Sequence, residues 1–593
     1  MKAPLTRWLT RPMAGRPTGQ HVLAFALYSC FALILFFPIL SHPATAYIGG
    51  ERGPAAQDPL SFMWFLAWIP YALAHHLNPL LTNWIFSDSG ANLAWNTAVP
   101  FVGLVMSPVT VSAGPILSYN LALILSLIVS AWSAYFAAVR VFGCGFLPAL
   151  LAGAVYGFSP FQTAHAVGHL HMTTAFTPPL FLLVLHDVLI AQRRPAWNNG
   201  AKLAALALIQ YFISAEVLLM ECVFAAIGTL VLLVACRHAV TSQRVRYVLR
   251  SLTLAFLIAF PVLSYPLYLT FLGRWQPSHP VHGVADFYAA NLLSFILPTS
   301  PQAIFGSLFL SASFTGGEWN TYVGIPLIVL LAVIGRTKRG DATVRFLLTL
   351  LIAIVICSLG PSLHIAGNRS TGIPLPWRLF QVVPFFRDIA ANRFGEYLYL
   401  PLGFVLALYI ADRSVPRHQR VLRAVASLAA LAFLFPRIPL YPATSLDVPD
   451  FFRRPRDAQA IESPALIVPF STDIAADHAS AMLWQAEARM AFKMPEGYAF
   501  GEGRAPWPAP TSLSRALIEI EDVGRVPTLT PALRADVIAV LERQRIRTVL
   551  LGPSPHEREA LAFLVEALGW VPDSVDGVFV WRQVDRRIAV RAP

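Results

Sequence analysis

The sequence predicts a mostly α-helical bundle that crosses a membrane many times and carries a smaller α/β domain at its C-terminal end. Of its 593 residues, 56% are hydrophobic and only 13% are charged, whereas about a quarter of the residues of a soluble domain are charged. Apolar runs long enough to span a bilayer recur over the first 440 residues. Residues 441–593 instead have frequent charges and no apolar run of that length.

About eleven membrane spans are expected from the apolar runs. They lie near residues 21–41, 116–138, 147–161, 172–191, 200–217, 218–236, 250–272, 319–335, 345–360, 395–412 and 421–438. A further run, 97–111, is short and is interrupted by Pro100 and Pro108. Because proline breaks helical hydrogen bonding, this run is expected to be a re-entrant or surface helix.

The distribution of Arg and Lys predicts the orientation of the chain. With this set of spans, most basic residues fall in the loops on the N-terminal side and few fall in the opposite loops. Because basic loops stay in the cytoplasm, the N-terminus is expected there, while the first loop (42–115) and the C-terminal domain (441–593) lie outside. The net charge of +12 is thus a topology signal and does not indicate nucleic-acid binding.

The first external loop contains the segment around which the functional hypothesis is built, residues 47–77. It starts rich in Gly and Pro, carries Glu51 and Asp58, and continues as a helix-like stretch with Trp64 and Trp68 four residues apart. Tryptophan favours the lipid–water interface. The segment is therefore expected to lie along the bilayer, with both tryptophans as interfacial anchors and Asp58 at headgroup height.

Both acidic residues of this segment have a structural alternative. Asp58 precedes Pro59, and Asp at the N-cap with Pro at the first helical position is a common helix start. Capping is therefore the alternative to catalysis for Asp58, and one residue can do both. Glu51 is followed by Arg52 in a flexible loop, so a solvated surface acid is its alternative.

Several other polar residues are expected on the same outer side of the membrane. These candidate substrate-binding residues are His165, His169, Gln210, Glu216, Glu318 and Tyr322. An ionisable side chain in an apolar span is costly, so Glu216 is expected to line a cavity or to pair with a base. His165, His169 and the neighbouring His171 are expected to contact donor or acceptor. Metal binding, helix capping and hydrogen bonding at an interface are the alternatives.

Arginines are unexpectedly frequent in the outer loop that follows the ninth span. Arg387 and Arg393 lie there, although basic residues are disfavoured in external loops. Guanidinium groups hold phosphate through charge-assisted hydrogen bonds, so an anionic partner explains them. The alternatives are a local ion pair of Arg387 with Asp388 and general binding of lipid headgroups.

A carboxylate beside a cationic pocket at the membrane surface suits sugar transfer from a lipid phosphate. The acid would take a proton from an acceptor hydroxyl, while Arg or His would stabilise the departing phosphate. The sequence has no Walker loop, dinucleotide fingerprint or GxSxG motif. Its five cysteines show no metal-binding spacing, so no cofactor is expected.

Several motifs together resemble a known superfamily. The motifs are QDPLSFMWFLAW, NPLLTNWIFSDSGANLAWNT, YGFSPFQTAHAVGHLHM and GIPLPWRLFQVVPFF. Over about residues 20–440 the chain resembles bacterial multi-span glycosyltransferases of the GT-C fold. The resemblance implies a polyprenyl-phosphate-linked sugar as donor, a location in the bacterial inner membrane, and often an external C-terminal domain.

The same resemblance implies roles for particular residues. The family's catalytic base, an acid of the first external loop, matches Asp58, with Glu51 as the second choice. The family's phosphate-binding basic residue matches Arg393 or Arg387. The first loop lacks the paired acidic motif with which some members bind metal, so a divalent metal is possible but not supported.

The expected activity is therefore inverting transfer of a hexose or pentose to a cell-envelope glycan, lipid or protein, with membrane lipids but no nucleic acid as further partners. Two alternatives remain. A transporter or flippase of lipid-linked glycan would use the same cavity, and a non-catalytic relative would only bind glycan. Transport predicts acids and bases deep within several spans, whereas here the polar residues gather at the outer ends.

Overall fold

The computed structural model describes residues 17–50, 54–236, 240–277, 284–306, 321–366, 370–382, 386, 389–469, 480–502 and 511–591. Over these residues the chain is mostly helical. The α-helices up to residue 440 are Thr18–Leu35, Pro54–Ala74, Pro100–Ala113, Pro115–Phe142, Phe146–Gly157, Pro160–His165, Leu170–Thr173, Thr177–His186, Ala196–Ile213, Ala215–Cys236, Ser242–Leu272, Val284–Phe287, Ile325–Thr337, Ala342–Ser358, Trp377–Phe380, Gly395–Ala411 and Arg417–Leu431.

The remaining helices and the strands are short. The later helices are Asp450–Arg453, Pro455–Gln459, Ser480–Glu487, Ser512–Val523, Pro531–Arg543, Glu557–Leu568 and Val584–Arg591. The strands are Ala46–Ile48, Leu81–Thr82, Ala91–Asn92, Ser362–His364, Ser370–Pro374, Ala443–Ser445, Ala465–Val468, Thr548–Leu551, Asp573–Val575 and Val578–Trp581.

Six helices of the described residues are long and apolar enough to cross a membrane, which makes the chain a membrane protein. They are Thr18–Leu35, Pro115–Phe142, Leu170–Ala191, Ala215–Ala235, Ser242–Leu272 and Ala391–Ala411. Every predicted span overlaps a helix, but those predicted at 147–161, 319–335 and 421–438 overlap helices of only 12, 13 and 15 residues. The number of spans therefore stays a prediction.

The helix Pro115–Phe142 is the central packing element of the membrane part. Pro115 occupies its first turn, and Gly143 ends it in the left-handed conformation, with φ 65°. The helix packs closely on its neighbour Phe146–Gly157, because a Cβ added to Gly157 would lie only 2.4 Å from the Cβ of Ala131. Small residues that let helix backbones approach are typical of membrane bundles.

The helix Pro54–Ala74, called the loop helix below, corrects two predictions. It begins four residues before Asp58, so Asp58 lies in its second turn and the capping interpretation is wrong. Trp64 and Trp68 stack at 5.6 Å and are 0% and 1% exposed. The interfacial-anchor interpretation is wrong because the C-terminal region covers them, and Trp64 Nε1 donates a hydrogen bond of 2.5 Å to Gln485.

The C-terminal region contains a four-stranded sheet. The strand Ala465–Val468 pairs in parallel with Thr548–Leu551, which pairs antiparallel with Val578–Trp581, and Asp573–Val575 completes the sheet at the other edge. Helices pack on the sheet around a hydrophobic core of its own, which contains the fully buried Trp581. The domain boundary near residue 440 stays a prediction.

A second part of the C-terminal region, residues 480–502, is bound to the first loop. The backbone N–H of Met494 donates to the carbonyl of Trp84 at 2.9 Å. The N–H of Phe500 donates to Asn96 Oδ1 at 2.8 Å. These hydrogen bonds hold the C-terminal chain against the first loop, over the loop helix.

One buried carboxyl group of this docked segment makes stability sensitive to pH. Glu496 is fully buried, and its Oε1 accepts a hydrogen bond of 2.9 Å from the backbone N–H of Ile467. Burial raises the pKa of Glu496 to about 8, because removal from water disfavours the charged form. The folded protein therefore retains this proton to a higher pH than the unfolded chain does.

We expect this group to weaken the fold as the pH rises. Its stabilising contribution is fully present below pH 4.5, the ordinary pKa of Glu, and is lost as the pH passes about 8. The loss is at most about 5 kcal/mol. Glu496→Gln keeps the acceptor for Ile467 without the charge. The melting temperature of this variant in detergent should therefore change less with pH between 4.5 and 8 than that of the wild type. Glu502→Gln, at an exposed position, is the control, and equal slopes for wild type and Glu496→Gln would contradict the prediction.

Candidate functional site

The carboxylate of Asp58 is held from two sides. Its Oδ2 lies 3.2 Å from His169 Nε2. Its Oδ1 accepts a hydrogen bond of 3.0 Å from the hydroxyl of Tyr498. The Asp58 side chain is 17% exposed, so the carboxylate has a fixed orientation but can still be reached by a small group.

A tight turn brings His169 to the loop helix. Gly168 has φ +108°, a conformation that residues with a side chain rarely adopt. A Cβ at Gly168 would lie 3.1 Å from Asp58 Cβ and 3.3 Å from Pro59 Cδ. The backbone N–H of His169 then donates to the carbonyl of His165 at 3.1 Å. Gly168 therefore provides both the turn and the room for Asp58.

A second histidine extends the contact behind His169. The Nδ1 atoms of His165 and His169 are 2.7 Å apart. If His169 donates through Nε2 to the Asp58 carboxylate, its Nδ1 in the neutral ring is an acceptor, and His165 supplies the donor. The order Asp58, His169, His165 is therefore a continuous hydrogen-bonded chain that fixes the ring of His169.

His171 connects this chain to a second charged group. Its ring is buried, stacks on Phe62 with centroids 5.7 Å apart, and lies edge-on to His169 at 5.9 Å. Neither ring nitrogen has a hydrogen-bond partner among the described residues. The positive charge of Arg393 acts on this ring, so the arginine lies near the histidines.

Arg393 forms an ion pair with Glu216. The distance from Arg393 Nη1 to Glu216 Oε2 is 2.7 Å, and the two side chains are 18% and 20% exposed. The pairing alternative predicted for Glu216 is therefore present. Glu216 Oε1 has no hydrogen-bond partner in the part of the chain that is described. A pair that solvent still reaches can exchange one partner for a competing anion.

Two predicted site residues are engaged elsewhere. Gln210 is fully buried, where it accepts a hydrogen bond from Thr177 and donates one of 3.2 Å to the carbonyl of Ser214. Tyr322 is 3% exposed, and its carbonyl accepts a hydrogen bond of 2.8 Å from Tyr399. Both residues brace helix junctions in these contacts and are not brought to Asp58. Glu51, Arg387 and Glu318 lie outside the described residues.

Two buried carboxyl groups lie deeper in the bundle. Glu396 is 1% exposed, and neither of its carboxyl oxygens has a hydrogen-bond partner in the described ranges. Glu221 is 5% exposed and lies 3.1 Å from the hydroxyl of Thr177. The two acids interact electrostatically with each other. Glu396 also interacts electrostatically with Glu216, the partner of Arg393.

A cavity of about 380 Å³ continues from these acids between the helices. Apolar side chains line almost all of it, among them Leu218, Phe346 and Phe404, with Glu221 at its wall. Leu218 and Glu221 belong to the same helix as Glu216, Ala215–Cys236, so one helix connects the ion pair with the cavity. Its lining suits a hydrocarbon chain.

The described residues contain no metal centre of clustered ligand side chains. No group of three or more His, Cys, Asp or Glu side chains is arranged there to hold a metal ion. Whether the protein depends on a divalent metal remains an open prediction.

Tyr498 is the site residue that sequence reasoning missed. It comes from the C-terminal region, 440 residues after Asp58. The flanking Gly497 and Gly501 were an available signal, because a Cβ on either would come within 2.9 Å of the first loop. Closely spaced glycines indicate that a backbone packs against another surface, but they do not identify the surface.

The fold and these buried polar groups define a membrane protein of the GT-C fold class. The structure of the arabinofuranosyltransferase AftD from Mycobacteria matches 96% of this chain with a TM-score of 0.56 at 15% identity, and the match covers 40% of that longer protein. An apo oligosaccharyltransferase from Archaeoglobus fulgidus matches 89% of this chain and 69% of its own length, with a TM-score of 0.42 at 12% identity.

The sequence itself identifies the family. Residues 9–435 match the family described as a domain of unknown function, DUF6311, and the chain belongs to that family. No curated protein matches the sequence.

We expect Gly168→Ala to disturb the Asp58 site more than a comparable glycine replacement. The new Cβ must displace Asp58 or Pro59 in addition to straining the backbone, which together cost about 2 to 4 kcal/mol. The control is Gly372→Ala, which also has a positive φ, +77°, but faces open space. Melting in detergent and a structure of each variant would measure the effect, and equal losses with an unchanged 3.2 Å His169–Asp58 contact would contradict it.

Proposed function

We propose that the chain is an integral membrane glycosyltransferase that transfers a sugar from a polyprenyl-phosphate donor to an acceptor hydroxyl, with inversion at the anomeric carbon. The observation that carries the proposal is the Asp58 carboxylate, oriented by two hydrogen-bond donors and open to a small group. The GT-C fold, which the chain shares with a known arabinofuranosyltransferase, supports the same assignment.

Asp58 is the general base in this proposal. An acceptor hydroxyl donates to a free lone pair of the carboxylate and attacks the anomeric carbon, while its proton passes to Asp58. The bond between that carbon and the phosphate oxygen breaks, and its electron pair leaves with the polyprenyl phosphate. One displacement inverts the configuration. His169, bound to the other carboxylate oxygen, keeps the base in place.

Arg393 is the residue proposed to bind the phosphate. Its guanidinium is paired with Glu216 at 2.7 Å, and a phosphate group would compete with that carboxylate for the same donors. Positive charge is most useful where negative charge develops on the leaving group. His171, which contacts His169 edge-on and interacts electrostatically with Arg393, would line the path from phosphate to base.

The apolar cavity is the proposed location of the donor's isoprenoid chain. It is lined almost entirely by hydrocarbon side chains and shares the helix Ala215–Cys236 with Glu216, so a lipid tail would be buried there with the phosphate near Arg393. This arrangement suits an amphiphilic donor and leaves a cell-envelope glycan, lipid or protein to approach Asp58. We propose a cytoplasmic N-terminus and an external site in a bacterial inner membrane, as the basic loops predict.

A specific observation favours transport of a lipid-linked glycan as a second candidate. Glu221 and Glu396 are buried within helices that are long enough to span the membrane, and buried acids of this kind are frequent in transporters. Transport moves the intact donor across the bilayer, whereas transfer releases polyprenyl phosphate. Product analysis therefore separates the two candidates.

The first experiment is turnover in lipid nanodiscs with polyprenyl phosphates that carry mannose, glucose, galactose or arabinofuranose. Asp58→Asn retains one acceptor oxygen but cannot take a proton, so we expect release of polyprenyl phosphate to fall by about 10² to 10⁴-fold. The same substitution at the exposed Asp88 of the first loop is the control. Undiminished release by a folded Asp58→Asn variant would exclude Asp58 as the base. No release from any donor would favour transport or a glycan-binding role.

Two substitutions with opposite expected effects test the phosphate site. Arg393→Gln should weaken binding of undecaprenyl phosphate by about 10-fold or more, because a charge-assisted hydrogen bond is lost. Glu216→Gln should strengthen binding, since it removes the competing carboxylate. Thermophoresis in detergent measures both dissociation constants. Arg378→Gln, an exposed arginine of the same outer segment, is the control; equal affinities for all three variants would exclude Arg393 as the phosphate ligand.

A further inference from the structure

The family match and the Asp58 site do not cover the same part of the chain. The match ends at residue 435, whereas one of the two groups that hold the carboxylate, Tyr498, comes from beyond that end. His169 binds Oδ2 from the membrane part, and Tyr498 binds Oδ1 from the C-terminal region. The site is therefore incomplete in the matched segment alone.

Tyr498 is held firmly in this position. Its backbone N–H contacts the sulfur of Met482 at 3.2 Å. Two residues further on, Phe500 and Asn96 exchange hydrogen bonds of 2.8 and 3.2 Å between backbone and side chain. On the other side, Gly497 packs directly on Ile85. The phenol is thus fixed by the first loop as well as by its own segment.

The surroundings of Tyr498 keep its hydroxyl a hydrogen-bond donor. Burial, together with the negative charge of Asp58, raises the pKa of Tyr498 above its ordinary value. The side chain of Tyr288 is close enough to interact with it electrostatically, and the carbonyl of Tyr288 accepts a hydrogen bond of 2.9 Å from Asn392, next to Arg393. Tyr498 therefore contacts the proposed base directly and is connected to the chain next to Arg393 only through Tyr288.

We propose that Tyr498 is a positioning residue for the base, and that the C-terminal region is thereby part of the active site. This inference rests on the proposed function. The phenol donates to Oδ1, and a carboxylate oxygen has two lone pairs, so one remains for the acceptor hydroxyl. With His169 on Oδ2, rotation of the carboxylate plane is restrained from both sides, and the free lone pair on Oδ1 has a fixed direction.

Tyr498→Phe removes only the hydroxyl. A hydrogen bond to a carboxylate stabilises its charged form, and Tyr498→Phe loses one of the two that hold Asp58. The acid limb of the kcat profile should then move to higher pH by about one unit. The kcat on the plateau should fall by about 10-fold, because the base loses a contact that orients it. The affinity for undecaprenyl phosphate should not change, because Tyr498 does not contact the phosphate residues.

Tyr441→Phe is the matched control. Tyr441, like Tyr498, is a partly buried tyrosine, and its hydroxyl donates a hydrogen bond of 2.9 Å to the backbone carbonyl of Thr163 instead of to a carboxylate. Its removal should lower the melting temperature without moving the acid limb. A purely structural role of Tyr498 would give the same result as this control and would overturn the inference.

The outcomes separate the inference from the function on which it rests. Release that persists in Asp58→Asn excludes Asp58 as the base and with it the role of Tyr498, whereas no release from any donor counts against the proposed transfer itself. If release is lost in Asp58→Asn but the acid limb of the kcat profile stays unchanged in Tyr498→Phe, only the role of Tyr498 is overturned. If no donor is turned over, the melting temperatures of Asp58→Ala, Tyr498→Phe and the double variant decide. If the melting temperature of the double variant falls by less than the sum of the two single decreases, the contact is supported. If the decreases add, it is overturned.

Discussion

The structure of the site depends on one partly buried carboxylate that two distant parts of the chain must satisfy. A charge removed from water is costly unless donors replace the water, and Asp58 receives one donor from His169 and one from Tyr498. Each donor requires a close backbone approach, at Gly168 on one side and at Gly497 on the other. The docking of the C-terminal region and the geometry of the membrane part are therefore linked through this group.

The groups around the site range from ionic to purely apolar. They are the histidines, the partly exposed pair of Arg393 and Glu216, the buried acids Glu221 and Glu396, and the apolar cavity. An ionic group is most stable at the partly exposed pair and a hydrocarbon chain in the cavity. An amphiphilic ligand would consequently have one favoured orientation, with its charged group beside Arg393.

Two interpretations of the loop helix failed for the same physical reason. Interfacial tryptophans and buried tryptophans have the same local sequence, and only the surroundings distinguish them. Trp64 and Trp68 are buried because Gln485, far away in the sequence, covers them and accepts the indole N–H of Trp64. The proline that follows Asp58 likewise indicated that a helix starts there, but the helix begins four residues earlier. Local pattern rules carry no information about such distant partners.

The sequence by itself determined the class of the protein and the chemical types at its site. Apolar runs of spanning length are a local property, so they identified the helices of a membrane protein, and an acid with histidines and arginines in predicted outer loops indicated where polar groups gather. Only the tertiary structure decided which of them meet: His169 with Asp58, Glu216 with Arg393, and Tyr498 with the same Asp58. Those pairings span from about a hundred to several hundred residues, and they are set by the packing of helices and the docked C-terminal chain, which no local periodicity encodes.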